Sequence, residues 1–235
     1  VFGEVNGKAG AWGHAIGGMG AITQAMCREC EARGVAIETD AEVARLLVEG
    51  GKAVGVELAD GRTLRAGLVA SNLNPKLLYS KLVAPGVLDE DTTRRVARYR
   101  CGSGTFRMNV ALSELPDFTA MPGTALQPHH QSGILVGPSL QYFEQAYFDA
   151  KSKQYNPGWA RKPIVELVIS STLDDTLAPA GQHVASLFCQ QVNPQVDGGW
   201  DAHRETVAKL MIDTVNDYAP NFARSVIGYE ALSPL

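Results

Sequence analysis

The side chains able to do chemistry are few and scattered. Gly17, Gly18 and Gly20 open an apolar-periodic run, and bare backbone amides at a helix N-terminus suit an anion or a polarised carbonyl. The turn is not Gly-x-Gly-x-x-Gly and no strand precedes it, so a tight turn that simply needs glycine is an equal reading. Cys27 and Cys30 have redox spacing. A reactive pair sits at a helix N-terminus, where the dipole lowers the thiol pKa, whereas this pair falls about two turns into the run. No second pair or nearby histidine completes a four-ligand zinc site, so the pair reads as structural.

His129 and His130 are adjacent within a long Pro- and Gly-rich stretch, residues 114–139. Histidine shuttles protons near neutral pH or binds metal, and long loops are often functional. A hydrogen-bonded loop pair is the plainer alternative. Arg107, Asn109 and Glu166 point away from the apolar faces of their segments. In register they form a polar sheet face with an Arg–Glu contact, lining either solvent or a cavity. No Gly-x-Ser-x-Gly elbow, His-x-x-x-His pair or Asp-rich loop is present, which leaves serine hydrolysis a poor reading and metal binding without a motif. These residues alone make no chemically complete active site.

The elements that must position them follow from periodicity. Met19, Ile22, Met26 and Cys30 share one helical face, and Gly34 stands where a left-handed glycine ends a helix. Strands are expected over 35–39, 43–48 and 54–59, the last two joined by Gly50-Gly51. Asp60-Gly61 turns into Thr63–Arg65, and a short apolar strand follows over 68–71. A helix is expected from Asp89 to Tyr99, with acidic residues in its first turn. Phe106, Met108, Val110 and Leu112 alternate with Arg107 and Asn109 along a strand. An aromatic helix over 140–151 and strands over 164–171 and 183–192 come next. Asp201 caps a helix whose Val207, Leu210, Met211, Thr214 and Tyr218 share a face.

Composition bounds the possibilities. The 235 residues are 45% hydrophobic and 20% charged, enough to bury a core, which excludes global disorder. Twenty-one basic against 25 acidic residues give a net charge of −4, no field for nucleic acid or an anionic membrane. No apolar run approaches the roughly 18 residues of a membrane span. Four cysteines make no disulfide framework, so a soluble protein of a reducing compartment, cytoplasm or organelle matrix, is the default. The chain begins at Val1 rather than Met and reads as a piece of a longer protein.

The order of segments resembles the central region of the phytoene desaturase-like FAD-dependent oxidoreductases. The likeness is carried by the run Gly10-Ala11-Trp12-Gly13-His14-Ala15-Ile16-Gly17-Gly18-Met19-Gly20, by Glu42-Val43, by Gly55–Gly61 and by Leu68-Val69-Ala70-Ser71-Asn72. Pro128–Gln131 and Pro163–Leu167 through Leu177-Ala178-Pro179 narrow it to the pyridine nucleotide-disulfide oxidoreductase domain-containing branch. The resemblance implies an α/β to α+β fold with two parts. Residues 1–75 would be the middle of a Rossmann-type FAD domain with a β-meander, and 76–235 a mixed-sheet substrate domain with flanking helices. It assigns Val43 to the adenine through its backbone and gives Ser71-Asn72, with the Gly17-Gly18 amides, a cofactor role. Arg107, Asn109, Glu166, His129 and His130 become candidates for the substrate cavity.

The resemblance also implies FAD in a longer parent that passes a hydride from a small apolar or amphipathic substrate to the flavin. The Gly-rich pyrophosphate turn of such proteins is not in these residues, so this stretch by itself is expected to hold no FAD and to be inactive. The alternative is a non-catalytic binding or assembly domain derived from the same fold. A piece of a flavoprotein would expose an apolar patch around the Gly17 helix and the Leu68 segment, with self-association as one outcome.

Overall fold

A computed structural model describes residues 4–5, 7–10, 13–152 and 158–234. Ala11 and Trp12 of the first matching run lie outside them. The chain forms a mixture of helices and antiparallel sheets in two compact units, Val1–Met26 with Gly102–Leu235, and Cys27–Cys101.

The larger unit holds a short hairpin of β1 (Glu4–Val5) and β2 (Lys8–Ala9), and the start of α1 (Gly18–Ala32). Its centre is a five-stranded antiparallel sheet. In chain order the strands are β6 (Thr105–Leu112), β7 (Ile134–Val136), β8 (Trp159–Val168), β9 (His183–Val192) and β10 (Val226–Leu232). Across the sheet the order is β10-β6-β9-β8-β7. Phe106, Met108, Val110 and Leu112 are fully buried on one face of β6, because successive strand residues point to opposite sides. They join Val165, Leu167, Ala185 and Leu187 in a core closed by Val207, Met211 and Val215. Those last three belong to α5 (Trp200–Asn216). The short α6 (Phe222–Ser225) follows it.

A second helix, α4 (Leu140–Lys151), starts at Ser139, whose hydroxyl accepts the N–H of Tyr142. Tyr142, Phe143 and Ala146 pack on Ile164, outside the main core. Asp149 fixes this helix to β8. Its buried carboxylate accepts the backbone N–H of Arg161 at 3.1 Å, two guanidinium nitrogens at 3.0 and 2.8 Å, and the Gln145 amide at 2.8 Å. Chiefly through the Arg161 side-chain bonds, these contacts hold its pKa below the usual carboxylate range.

The smaller unit contains a three-stranded antiparallel sheet in sequence order, β3 (Val43–Glu49), β4 (Lys52–Leu58) and β5 (Thr63–Arg65). A one-turn α2 (Pro75–Leu77) and a wider helical turn over 78–82 lead to α3 (Glu90–Arg98). Asp89 caps α3 through the Thr92 N–H at 2.8 Å. Within α1, the C-terminus closes as a Schellman motif. The Val35 N–H reaches the Cys30 carbonyl and the Gly34 N–H the Glu31 carbonyl, with Gly34 at φ +76°.

Several expectations are corrected. Residues 35–39 and 68–71, expected as strands from Val35, Ile37, Leu68 and Val69, are not strands. A strand exists only through a ladder, and neither segment finds a partner strand among the described residues. The cap of α5 is Gly199, at φ +78°, and Asp201 stands inside the first turn instead. The stretch 114–139 is not one long loop, because it contains a 3₁₀ turn over 128–131 and the edge strand β7.

Candidate functional site

Two clusters in the larger unit carry the sequence candidates. The first is the sheet face opposite α5. Register places Leu135, Glu166, Phe188, Arg107 and Leu232 in one row across the five strands. Arg107 Nη2 donates to Ser186 Oγ at 2.8 Å, and its guanidinium lies 5.7 Å from the centre of the Phe188 ring. Asn109 donates to Glu230 Oε2 at 3.4 Å. Arg107, Asn109 and Glu166 therefore share one exposed face. The expected contact between Arg107 and Glu166 does not form, because β9 runs between β6 and β8 and inserts Phe188 between the two charges. The face offers an aromatic floor with a cation on one side and an anion on the other. Phe188 was not singled out from sequence, and its place opposite Arg107 depends on a strand register between distant segments.

The second cluster surrounds the histidine pair, which the fold splits into two roles. His130 is fully buried. Its Nδ1 accepts the Gln127 N–H at 3.1 Å, and Nε2 lies 2.9 Å from the Pro116 carbonyl. That pairing requires the proton on Nε2. His130 is thus a fully bonded brace. His129 lines a cavity of about 250 Å³ with Phe118, Met121, Ile134, Val136 and Tyr218. Both of its ring nitrogens are closed to water and have no hydrogen-bond partner. Leaving a buried polar group unpaired costs on the order of 1–3 kcal/mol. Burial, with a smaller contribution from His130, pushes the His129 pKa down.

The glycine turn holds an anion supplied by the protein itself. Asp174 Oδ2 accepts the N–H groups of Gly17 at 2.7 Å and Gly18 at 3.2 Å. Its other oxygen takes the backbone N–H and hydroxyl of Thr176. The Thr176 hydroxyl leads these bonds in lowering the Asp174 pKa. Asp174, only 2% exposed, escaped the sequence reading because 157 positions separate it from Gly17.

The remaining cofactor candidates belong to the smaller unit. Val43 begins β3, which is the edge of its sheet. The Ser71 hydroxyl accepts the N–H of Leu73, and Asn72 is exposed. Neither lines the hollow of that unit, which is bounded by Arg45, Tyr79, Val83, Leu88 and Val96. Cys27 is unpaired, and desolvation with the Glu31 carboxylate beside it raises its pKa, the opposite of a reactive thiol. No cluster of metal-ligating side chains occurs among the described residues, and none of their helices is long and apolar enough to cross a membrane.

Residues 2–105 match the family of flavin containing amine oxidoreductases. Over its full length the chain is 36% identical to the pyridine nucleotide-disulfide oxidoreductase domain-containing protein 2 of Mus musculus, spanning 41% of that protein. Over 86% of its length it is 28% identical to a 4,4'-diapophytoene desaturase of Methylomonas sp, spanning 36% of it. An oxidoreductase from Methanosarcina mazei aligns with a TM-score of 0.61 at 19% identity, over 93% of this chain and 43% of that one. This last likeness concerns the fold alone.

Proposed function

Since the chain is a relative of the phytoene desaturase-like flavin oxidoreductases, we propose that it is the central and substrate-side part of an FAD-dependent oxidoreductase. The similarity along the whole chain to a protein of which it spans 41% carries this reading. When bound, FAD supplies the hydride acceptor.

The residues present fit only part of such a cofactor. Val43 lies on a sheet edge, where one side of a strand's backbone is open to an adenine ring. Residues 1–75 would then belong to a Rossmann-type FAD domain and 76–235 to the substrate domain. The Gly17 and Gly18 amides are committed to Asp174, and a phosphate there would meet a carboxylate. Pyrophosphate binding is therefore assigned to the remainder of the longer protein.

In this reading the face of Phe188, Arg107 and Glu166 binds and orients the substrate. Phe188 offers a platform to an apolar body, and Arg107 is held in place by Ser186. A small apolar or amphipathic substrate suits that surface.

The Asp174 contact also favours a second reading, a binding or assembly domain that has kept the fold without the cofactor, because its anion position is already filled from within. Adding apolar and amphipathic compounds anaerobically to the full-length protein distinguishes the two. Bleaching of a visible flavin band supports the oxidoreductase. A full-length protein without flavin, and not reconstituted by added FAD, supports the binding domain.

A further inference from the structure

We infer that the molecule taken by the face of Arg107 and Phe188 is an amphipathic monocarboxylate, with its carboxylate on the Arg107 guanidinium and its apolar body along Phe188. The inference rests on the substrate-side reading of that face and names what the face selects.

The charge of Arg107 carries it. Arg45, Arg65 and Arg161 also lie on strands, and each binds a carboxylate, of Glu57, Glu49 and Asp149. The contacts of Arg107 among the described residues are neutral: the Ser186 hydroxyl at 2.8 Å and the Phe188 ring at 5.7 Å. A guanidinium has five N–H donors in a planar fork, and Ser186 takes one of them. The side chain is exposed, so the other donors are open to a ligand, and a carboxylate is the acceptor that matches the fork in a bidentate pair. The Ser186 bond and the Phe188 ring orient the guanidinium before anything binds, which lowers the cost of ordering it.

The neighbours define the rest of the molecule. Leu232 and Phe188 stand on either side of Arg107 in the register and are both exposed, so apolar surface flanks the cation. Two carboxylates share the face. Glu230 lies two residues before Leu232 and accepts the Asn109 amide at 3.4 Å. Glu166 lies beyond Phe188, between it and Leu135. It is two strands from Arg107, roughly 10 Å at the usual strand spacing. A second carboxylate carried that far along the ligand would meet Glu166, a like charge. The face therefore accepts one carboxylate and disfavours two.

Calorimetric titration of the full-length protein with octanoate, octanol and octanedioate tests it. Octanoate should bind saturably and about tenfold more tightly than octanol, the scale of a hydrogen bond to a charged group over a neutral one. Arg107→Gln should erase that preference, and Arg107→Lys, which keeps the charge without the fork, should keep only part of it. Octanedioate should bind about threefold more weakly than octanoate, the scale of an exposed charge pair, and Glu166→Gln should remove that difference. Both positions are exposed, so the variants should fold as wild type does. No saturable octanoate binding, octanol bound as tightly as octanoate, or a preference unchanged in Arg107→Gln would overturn the inference. Octanedioate bound as tightly as octanoate would overturn the restriction to one carboxylate. Flavin content is read on the same samples. A flavin-containing protein without the carboxylate preference refutes this inference alone, and a protein that takes up no flavin yet binds octanoate through Arg107 refutes the oxidoreductase reading alone.

Discussion

The Asp174 carboxylate accepts the backbone N–H of Gly17 at 2.7 Å, across 157 positions of sequence. With Gly18 it closes the start of α1 in the way a capping side chain would, from a distant 3₁₀ turn. Replacing Asp174 by Ala should raise amide hydrogen exchange at Gly17 and Gly18 about tenfold, with little change in the centre of β6. The contact also has a pH sense. The carboxyl pKa is lowered from 3.8, so its contribution is complete above that value and is lost as pH falls through the lower folded value. Exchange at Gly17 that is unchanged in Asp174→Ala would contradict this role.

His129 sets a second pH dependence. Its folded pKa is lowered from 6.5, first by burial and then by His130. Below 6.5 the unfolded chain takes up a proton that the folded chain refuses, so stability declines as pH falls from 6.5 until the folded value is passed. His183, also lowered by burial, acts in the same direction. His129→Phe should keep its melting temperature near neutral pH and lose less of it on acidification than wild type. Parallel melting curves for the two proteins across that range would argue against it.

The burial pattern predicts a sharp contrast between two methionines. Met211 is fully buried against the sheet, and Met211→Ala should cost about 2–5 kcal/mol in urea unfolding. Met19 on α1 is 83% exposed, and Met19→Ala should change stability by less than about 0.5 kcal/mol. Ile22 and Met26 are exposed along the same helix, and Leu68 is 84% exposed in its own segment.

Gly55 tests the smaller sheet. Its φ is +150°, and a Cβ added there would lie 2.2 Å from the Leu64 carbonyl oxygen. Gly55→Ala should cost on the order of 1–3 kcal/mol. Exchange at the amides of β5 should rise more than at α5. Wild-type exchange along β5 would contradict the close approach.

Much of the larger sheet was legible because its signal is local. Alternation along 105–112 reports directly that one face is buried, and Asp89 marks the start of α3 by its own side chain. The segments 35–39 and 68–71 carry the same apolar signal without a ladder partner, which no local pattern reveals. β7 is three residues long, and β10 is mostly exposed, so neither offers a clear alternation. Periodicity turned Arg107, Asn109 and Glu166 away from the apolar faces of their strands, and only the register through β9 puts them on one face. Phe188 between the charges, Asp174 on the glycine amides and the division of labour between His129 and His130 all depend on contacts between distant segments.

The most direct test of the account is the FAD content of the full-length protein beside that of residues 1–235 expressed alone. Cofactor released by denaturation should be FAD, close to one per polypeptide for the full-length protein, and absent from the shorter chain even after incubation with FAD. A full-length protein that neither contains nor takes up FAD, or a shorter chain that binds it stoichiometrically, would contradict the account.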